Sequence, residues 1–209
     1  MSRRAIDMRA EQELAQFLDK KLYPEIVKGK SDSGWKRNYD IPLQKRGVDG
    51  KLIINGQSYI VDEKATLYYI NRNLPTFAFE IDSYQGAYLT KGWLFAPEYL
   101  TTHYMLIYPN ATHNDLRVIT SNDFQNTTCI FVSRSRIVEY LKSNGYDQKR
   151  IEDDSCRIRA ARSYGKNLIP GINDFYYFLS TPSSYSEAPF NVIIRRRVLE
   201  KLADFVITV

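Results

Sequence analysis

The dipeptide Asn55-Gly56, set between Leu52-Ile53-Ile54 and Ser58-Tyr59-Ile60-Val61, constrains this chain more than any other feature. Both residues tolerate positive φ, which a type I′ turn requires, and β-forming residues flank them, so the segment specifies a two-residue β-hairpin. A loop of fixed length also sets the pairing register. Ile54 then faces Gln57, Ile53 faces Ser58, Lys51 faces Ile60, and Asp49 faces Asp62. Opposed residues of an antiparallel pair share one side of the sheet, with Cβ atoms roughly 4.5–5.5 Å apart. Lys64, two residues past Asp62, emerges on that side as well. Register alone therefore predicts two carboxylates and one ammonium in a single cluster.

Facing acids repel, and a divalent cation turns the repulsion into binding. Oxygen ligands suit Mg²⁺ or Mn²⁺ rather than zinc. A cation of that kind orients a phosphate, lowers the pKa of an attacking water and neutralises developing charge, while a nearby lysine holds or activates the water. The competing structural reading is a solvated strand end, with Lys51 and Lys64 screening the acids. The opposed pair and Glu13 favour the site. A helix is predicted over residues 5–22, where Ile6, Ala10, Leu14, Phe17 and Leu18 recur on one apolar face. At ~100° per residue, Glu13 projects inside that stripe, where a carboxylate is either partnered or aimed at something.

Pro24 and a Gly29–Gly34 loop close the helix, and residues 39–64 are expected to be β structure. Residues 76–81, 92–95 and 104–108 are further strand candidates, the last apolar enough to be central. Ser133 or Ser135 is positioned to cap a helix through Ile137, Val138 and Leu141 that stops at Gly145. Residues 146–170 are weakly patterned, and residues 191–206, with Arg195-Arg196-Arg197, read as a basic amphipathic helix. The economical organisation is one domain over 1–209, with a core over about 5–120 and a helical or irregular C-terminal elaboration over about 121–209.

The net charge is +5 and the pI about 9.1, mild support for a polyanionic partner. No stretch approaches the ~20 apolar residues of a membrane span, and the basic N-terminus lacks the apolar run of a signal peptide. A cytoplasmic protein is expected, with Cys129 and Cys156 as reduced thiols.

The order helix, hairpin, Asp49, then Asp62-Glu63-Lys64 at the end of the second strand resembles the PD-(D/E)xK nuclease superfamily, which includes restriction endonucleases, Holliday-junction resolvases and recombination exonucleases. The resemblance covers roughly residues 5–110, and Val48 stands where the motif nominally has proline. It implies an α+β (α/β) fold with a restriction-endonuclease-like core, a central mixed β-sheet flanked by helices. It also implies Mg²⁺-dependent hydrolysis of phosphodiester bonds in DNA, with Mn²⁺ as a substitute. By the same analogy Asp49 and Asp62 are metal ligands, Lys64 is the catalytic lysine, Glu63 lends its backbone carbonyl to the metal, and Glu13 is the helical acid. Tyr59 to Thr66, Leu74 to Ile81 and Gly92 to Phe95 also look like a group of uncharacterised bacterial and phage proteins, to which no activity attaches.

Lys45, Arg46 and Lys51 are candidate phosphate contacts near the site. Glu80 and Gln85 follow a predicted strand, and Gln85 to Tyr88 is weakly similar to the glutamine–tyrosine motif of recombination exonucleases. His103 and His113 lack metal-ligand spacing. A homodimer is one way to supply the two active sites that double-strand cleavage usually needs. The alternative function is a non-catalytic nucleic-acid-binding protein, or a phage or mobile-element accessory protein, that keeps the nuclease fold.

Overall fold

The computed structural model of the chain describes residues 3–86, 88–182 and 188–209, with Arg3, Arg4 and Gln85 described by backbone alone. In chain order its elements are α1 (Arg3–Phe17), α2 (Tyr23–Val27), β1 (Gly34–Arg37), α3 (Ile41–Gln44), β2 (Gly50–Ile54), β3 (Gln57–Ala65), β4 (Thr76–Gln85), β5 (Tyr88–Lys91), β6 (His103–Tyr108), β7 (Thr128–Ser133), α4 (Arg134–Ser143), α5 (Gln148–Ala160), β8 (Gly165–Asn167), β9 (Phe175–Leu179), β10 (Phe190–Arg195), α6 (Arg196–Leu202) and β11 (Phe205–Thr208). The protein is a mixed α and β structure, and its chain divides into two compact units.

The first unit takes Met1–Leu74, Leu100–Val132 and Ala203–Val209. Its six-stranded sheet runs β1-β2-β3-β6-β7-β11. β1, β2 and β3 form an antiparallel meander, β6 lies parallel to β3, and β11 is antiparallel to β7, so the sheet is mixed. The predicted 5–22 helix is α1 continued by a π-helical turn over Leu18–Leu22. Its apolar stripe, Ala10, Leu14, Phe17, Leu18 and Leu22, is buried with Leu52, Val61, Met105 and Ile107 of the sheet. The second unit, Pro75–Tyr99 and Ser133–Leu202, holds a five-stranded sheet in the order β5-β4-β10-β9-β8, with every pair antiparallel. The expected division into a 5–120 core and a 121–209 elaboration is therefore replaced. β7 and β11 complete the first sheet, whereas β4 and β5 pair into the second.

The hairpin has the expected register, with Ile54 opposite Gln57, Ile53 opposite Ser58 and Lys51 opposite Ile60. Asn55 and Gly56 take φ values of 49° and 80°. The ladder ends at Gly50 opposite Val61. Gly50 is required there, because the Trp35 ring crosses its Cα and a Cβ would lie 2.1 Å from that ring.

Three expectations fail for local reasons. Residues 39–64 are not continuous β structure: Asp40 accepts a hydrogen bond from the Leu43 N–H, Pro42 fits the first helical turn, and Ile41–Gln44 coils into α3. The predicted strand at 92–95 is a turn. The Phe95 and Ala96 N–H groups both return to the Gly92 carbonyl, and a Cβ on Gly92 would meet the Glu80 backbone at 2.4 Å. The predicted 191–206 helix is the sequence β10–α6–β11, because the β-branched run Val192-Ile193-Ile194 is buried in the second sheet and overrides the helical spacing after it. β6, in contrast, is the buried central strand its composition implies.

Gly50→Ala is expected to displace Trp35 and destabilise the protein by about 1–3 kcal/mol, as overpacking does in a close-packed core. Urea denaturation monitored by tryptophan fluorescence measures this.

Candidate active site

Because β2 begins at Gly50 opposite Val61, residues 62–65 of β3 have no ladder partner on the β2 side, while β6 covers their other edge. Asp49 sits where this edge opens. Its N–H donates to the Val61 carbonyl (2.9 Å), and its Oδ2 accepts the Glu63 N–H (2.7 Å). Asp49 is thus not the ladder partner of Asp62 that simple register predicts. The pairing stops one residue earlier, and the Asp49 side chain caps the exposed strand in place of a backbone carbonyl.

The two carboxyl groups nonetheless lie close enough for the charge of one to act on the other. Asp62 is 1% exposed. Its Oδ1 accepts from Lys64 Nζ at 2.6 Å, whereas its Oδ2 is buried with no hydrogen-bond partner among the described residues. Burial, followed by the charge of Asp62, pushes the Asp49 carboxyl up to about 6, against the Glu63 N–H and the Lys64 charge. Asp49, Asp62 and Lys64 line a cleft of about 530 Å³, walled on the helix side by Glu11 and Gln12 of α1 and by Gln44.

Glu63, which with Arg37 also lines the cleft, commits its carboxylate to other partners. It receives both terminal nitrogens of Arg37 at 2.9 Å and the Tyr23 hydroxyl at 2.5 Å. Arg37 Nε and Trp35 Nε1 each donate to Asp19 at 2.7 Å. Tyr23 and Trp35 stack at 3.5 Å between ring centroids. Burial raises the Glu63 pKa, with Arg37 pulling it back. The Glu63 carbonyl leaves the strand on the same side as its N–H, toward Asp49, as extended backbone requires.

The acid that α1 brings to the cleft is Glu11, not the expected Glu13. Glu13 lies within the packed side of α1, but its Oε2 accepts the Ser121 N–H (2.7 Å) and it does not line the cleft. The Glu11 pKa is raised by partial burial and then by Asp7, with Asp49 adding to the rise and Lys64 opposing it. Two positions on a helix are ~200° apart, so only one of these glutamates reaches the cleft. Periodicity points to Glu13 because a buried acid stands out in an apolar stripe; Glu11 looks like ordinary solvent-facing surface. Arg37, Tyr23 and Asp19 likewise carry no sequence signal as a set, since the fold assembles them from separate elements.

Lys45, Arg46 and Lys51 are exposed and are not among the residues lining the cleft. Glu80 and Tyr88 belong to the second unit, and the Gln85 side chain and Ala87 lie outside the described residues. His103 stacks on Phe131 with its Nε2 3.4 Å from Asp204, and His113 lies 3.6 Å from Asp123. Arg196 pairs with Glu200 and Arg197 with Asp174, so these two arginines of the basic run are held within their own unit. Cys129 is buried, which pushes its thiol pKa up, and Cys156 is exposed.

Among the described residues, no three His, Cys, Asp or Glu side chains gather closely enough to hold a metal ion, and no helix is long and apolar enough to cross a membrane. Comparison with protein-family models, with curated proteins and with solved structures gave no significant match.

The raised Asp49 pKa has a definite sign in stability. Below pH 3.8 both folded and unfolded chains hold the proton. As the pH climbs from there to about 6, the unfolded chain releases it while the folded chain keeps it, and stability falls. Above that window the loss levels off, at up to about 3 kcal/mol. Asp49→Asn keeps an oxygen for the Glu63 N–H and removes the charge. Without divalent metal, this variant is expected to be more stable than the parent at pH 8 and to flatten the acid-side slope, as read by urea denaturation at a series of pH values.

Removing the Arg37 guanidinium leaves the buried Glu63 and the half-buried Asp19 without their cation. Arg37→Ala is therefore expected to cost about 3–5 kcal/mol in the same assay.

Proposed function

We propose that the protein is a metal-dependent phosphodiesterase acting on nucleic acid, with DNA as the substrate. The observation that carries this reading is the pairing of Asp49 with Asp62 at an open strand edge. One carboxyl has its pKa raised to about 6 by burial and by its neighbour's charge, and the other has a buried oxygen with no hydrogen-bond partner among the described residues. Such an arrangement costs stability and serves no packing role, and a divalent cation relieves it.

The donors suit Mg²⁺, with Mn²⁺ as a substitute. One oxygen of Asp49 is committed to the Glu63 N–H and one oxygen of Asp62 to Lys64, which leaves one oxygen on each. With the Glu63 carbonyl they would give an all-oxygen donor set of the partial kind Mg²⁺ prefers. Bound there, the ion supplies charge neutralisation and a more acidic water.

The rest of the chemistry falls to the chain's own groups. Lys64, anchored on Asp62, holds the attacking water in line with the scissile phosphate and offsets the charge that develops as oxygen attacks phosphorus. The P–O bond opposite the attack breaks, its electron pair going to the leaving oxygen, which takes a proton from solvent water and departs as a hydroxyl. Glu11, raised in pKa and within the field of Lys64 and Asp49, takes the proton from the water, the role that Glu13 does not fill. The Glu63–Arg37–Asp19 network holds β3 rigid beneath these groups. The order of helix, hairpin and acids at a strand end, on which the resemblance to the PD-(D/E)xK superfamily rests, supports the same assignment.

Incubation with plasmid, linear and single-stranded DNA in Mg²⁺ or Mn²⁺ tests the reading. Cleavage is expected from the parent protein and a loss of at least about 100-fold from Lys64→Ala, as for removal of a positioned charge-stabilising group. Undiminished cleavage by Lys64→Ala contradicts it. Saturating Mg²⁺ is also expected to raise the melting temperature of the parent and not that of Asp49→Ala.

A further inference from the structure

The face of the first sheet that carries Asp62 and Lys64 carries a second cationic feature. Along β3, alternation places Ser58, Ile60, Asp62 and Lys64 on one face and Tyr59, Val61 and Glu63 on the other. Ile60 is opposite Lys51, and Lys51 is opposite Lys36 of β1, so both lysines stand on the Asp62 face. The reverse face, with Trp35, Leu52 and Val61, packs into the core. Lys36 and Lys51 are both exposed, and neither side chain forms a hydrogen bond or ion pair with a described residue.

Two like charges directly opposed across neighbouring strands destabilise a sheet. A lysine on an edge strand does guard against strand-to-strand aggregation, and β1 is the edge. That protection accounts for Lys36 alone; it does not call for a second, unpaired lysine immediately beside it on β2. A polyanion laid across the row reverses the sign of the interaction, because each lysine then neutralises a phosphate and releases counterions. Position agrees with charge. Lys51 is the diagonal neighbour of Asp62 across the hairpin, roughly 7–8 Å away, and Lys36 lies one strand spacing farther, roughly 4.8 Å.

We infer that Lys36 and Lys51 form a phosphate-binding row that holds the nucleic-acid backbone beside the scissile bond, so that the substrate strand runs from the Asp49–Asp62 pair across β2 onto β1. The inference rests on the phosphodiesterase reading for what lies at the Asp49–Asp62 end. Contacts of this kind position the strand without reading bases, so the row binds any sequence.

Fluorescence anisotropy of a labelled DNA duplex in EDTA, over a salt series, tests the row apart from catalysis. Lys36→Gln and Lys51→Gln are each expected to weaken binding several-fold for unrelated sequences and to reduce the slope of log K against log salt by about one, the double variant by about two. Neither single variant melts below the parent, since repulsion is relieved. Lys149→Gln, which removes a lysine paired with Asp153 in the second unit, leaves affinity and slope unchanged. Parental affinity and slope in both row variants overturn the inference, as does no binding by the parent protein. A loss in Lys36→Gln that appears only with aggregation on gel filtration also overturns it and assigns Lys36 to guarding the edge. The two proposals fail separately: unaltered binding by the variants of a protein that cleaves in Mg²⁺ removes the row and keeps the phosphodiesterase, whereas the expected losses in a protein that never cleaves do the reverse.

Discussion

Everything specific about this protein turns on a hydrogen bond of 2.7 Å from the Glu63 N–H to the Asp49 carboxylate. It exists because β2 ends one residue too early to cover β3. The exposed amide needs an acceptor, and the nearest residue on the chain supplies it from its side chain. The same bond draws Asp49 against the buried Asp62, and burial with mutual repulsion lifts the Asp49 pKa. Satisfying one backbone donor thus creates an electrostatic debt elsewhere. A chain that only needed the amide capped would meet that need with a serine or asparagine and avoid the repulsion.

The strand edge stays in place because its reverse side is bolted down. Glu63 takes a bidentate pair from Arg37, Arg37 reaches Asp19, and Trp35 lies over Gly50 while stacking on Tyr23. Buried ion pairs are a weak source of net stability, since desolvation offsets their attraction. Their effect here is geometric: with Glu63 locked on one face, Asp62 and Lys64 must emerge on the other, at fixed height. Rigid support beneath a site that tolerates repulsion is the combination expected where structure has been given over to chemistry.

Local chemistry was legible in the sequence wherever one short segment decided the outcome. Asn55-Gly56 set the hairpin and its register, and the apolar stripe from Ala10 to Leu18 identified the helix that covers the sheet. Lys64 beside Asp62 followed from alternation alone. Non-local choices were hidden. Nothing near Asp49 announces that the ladder stops at Gly50, nor that Trp35 of another strand lies over that glycine. Glu13 was conspicuous as an acid in an apolar stripe, yet its partner is the Ser121 amide, 108 residues away, while Glu11 carries no mark until the cleft exists. The chain's division between two sheets was equally invisible, because β4, β5, β7 and β11 are each plausible neighbours of either one until tertiary pairing decides.

Whether Asp49 and Asp62 share a site for a divalent cation, as proposed, is reported most directly by the Asp49 carboxyl itself. Its ¹³C resonance, followed by NMR across a pH titration with and without Mg²⁺, is the decisive measurement. The expected midpoint is near 6 in the absence of metal, falling below the ordinary carboxylate range, under about 4, when Mg²⁺ is added. An ordinary midpoint without metal, or a raised midpoint that Mg²⁺ does not move, would contradict the proposal.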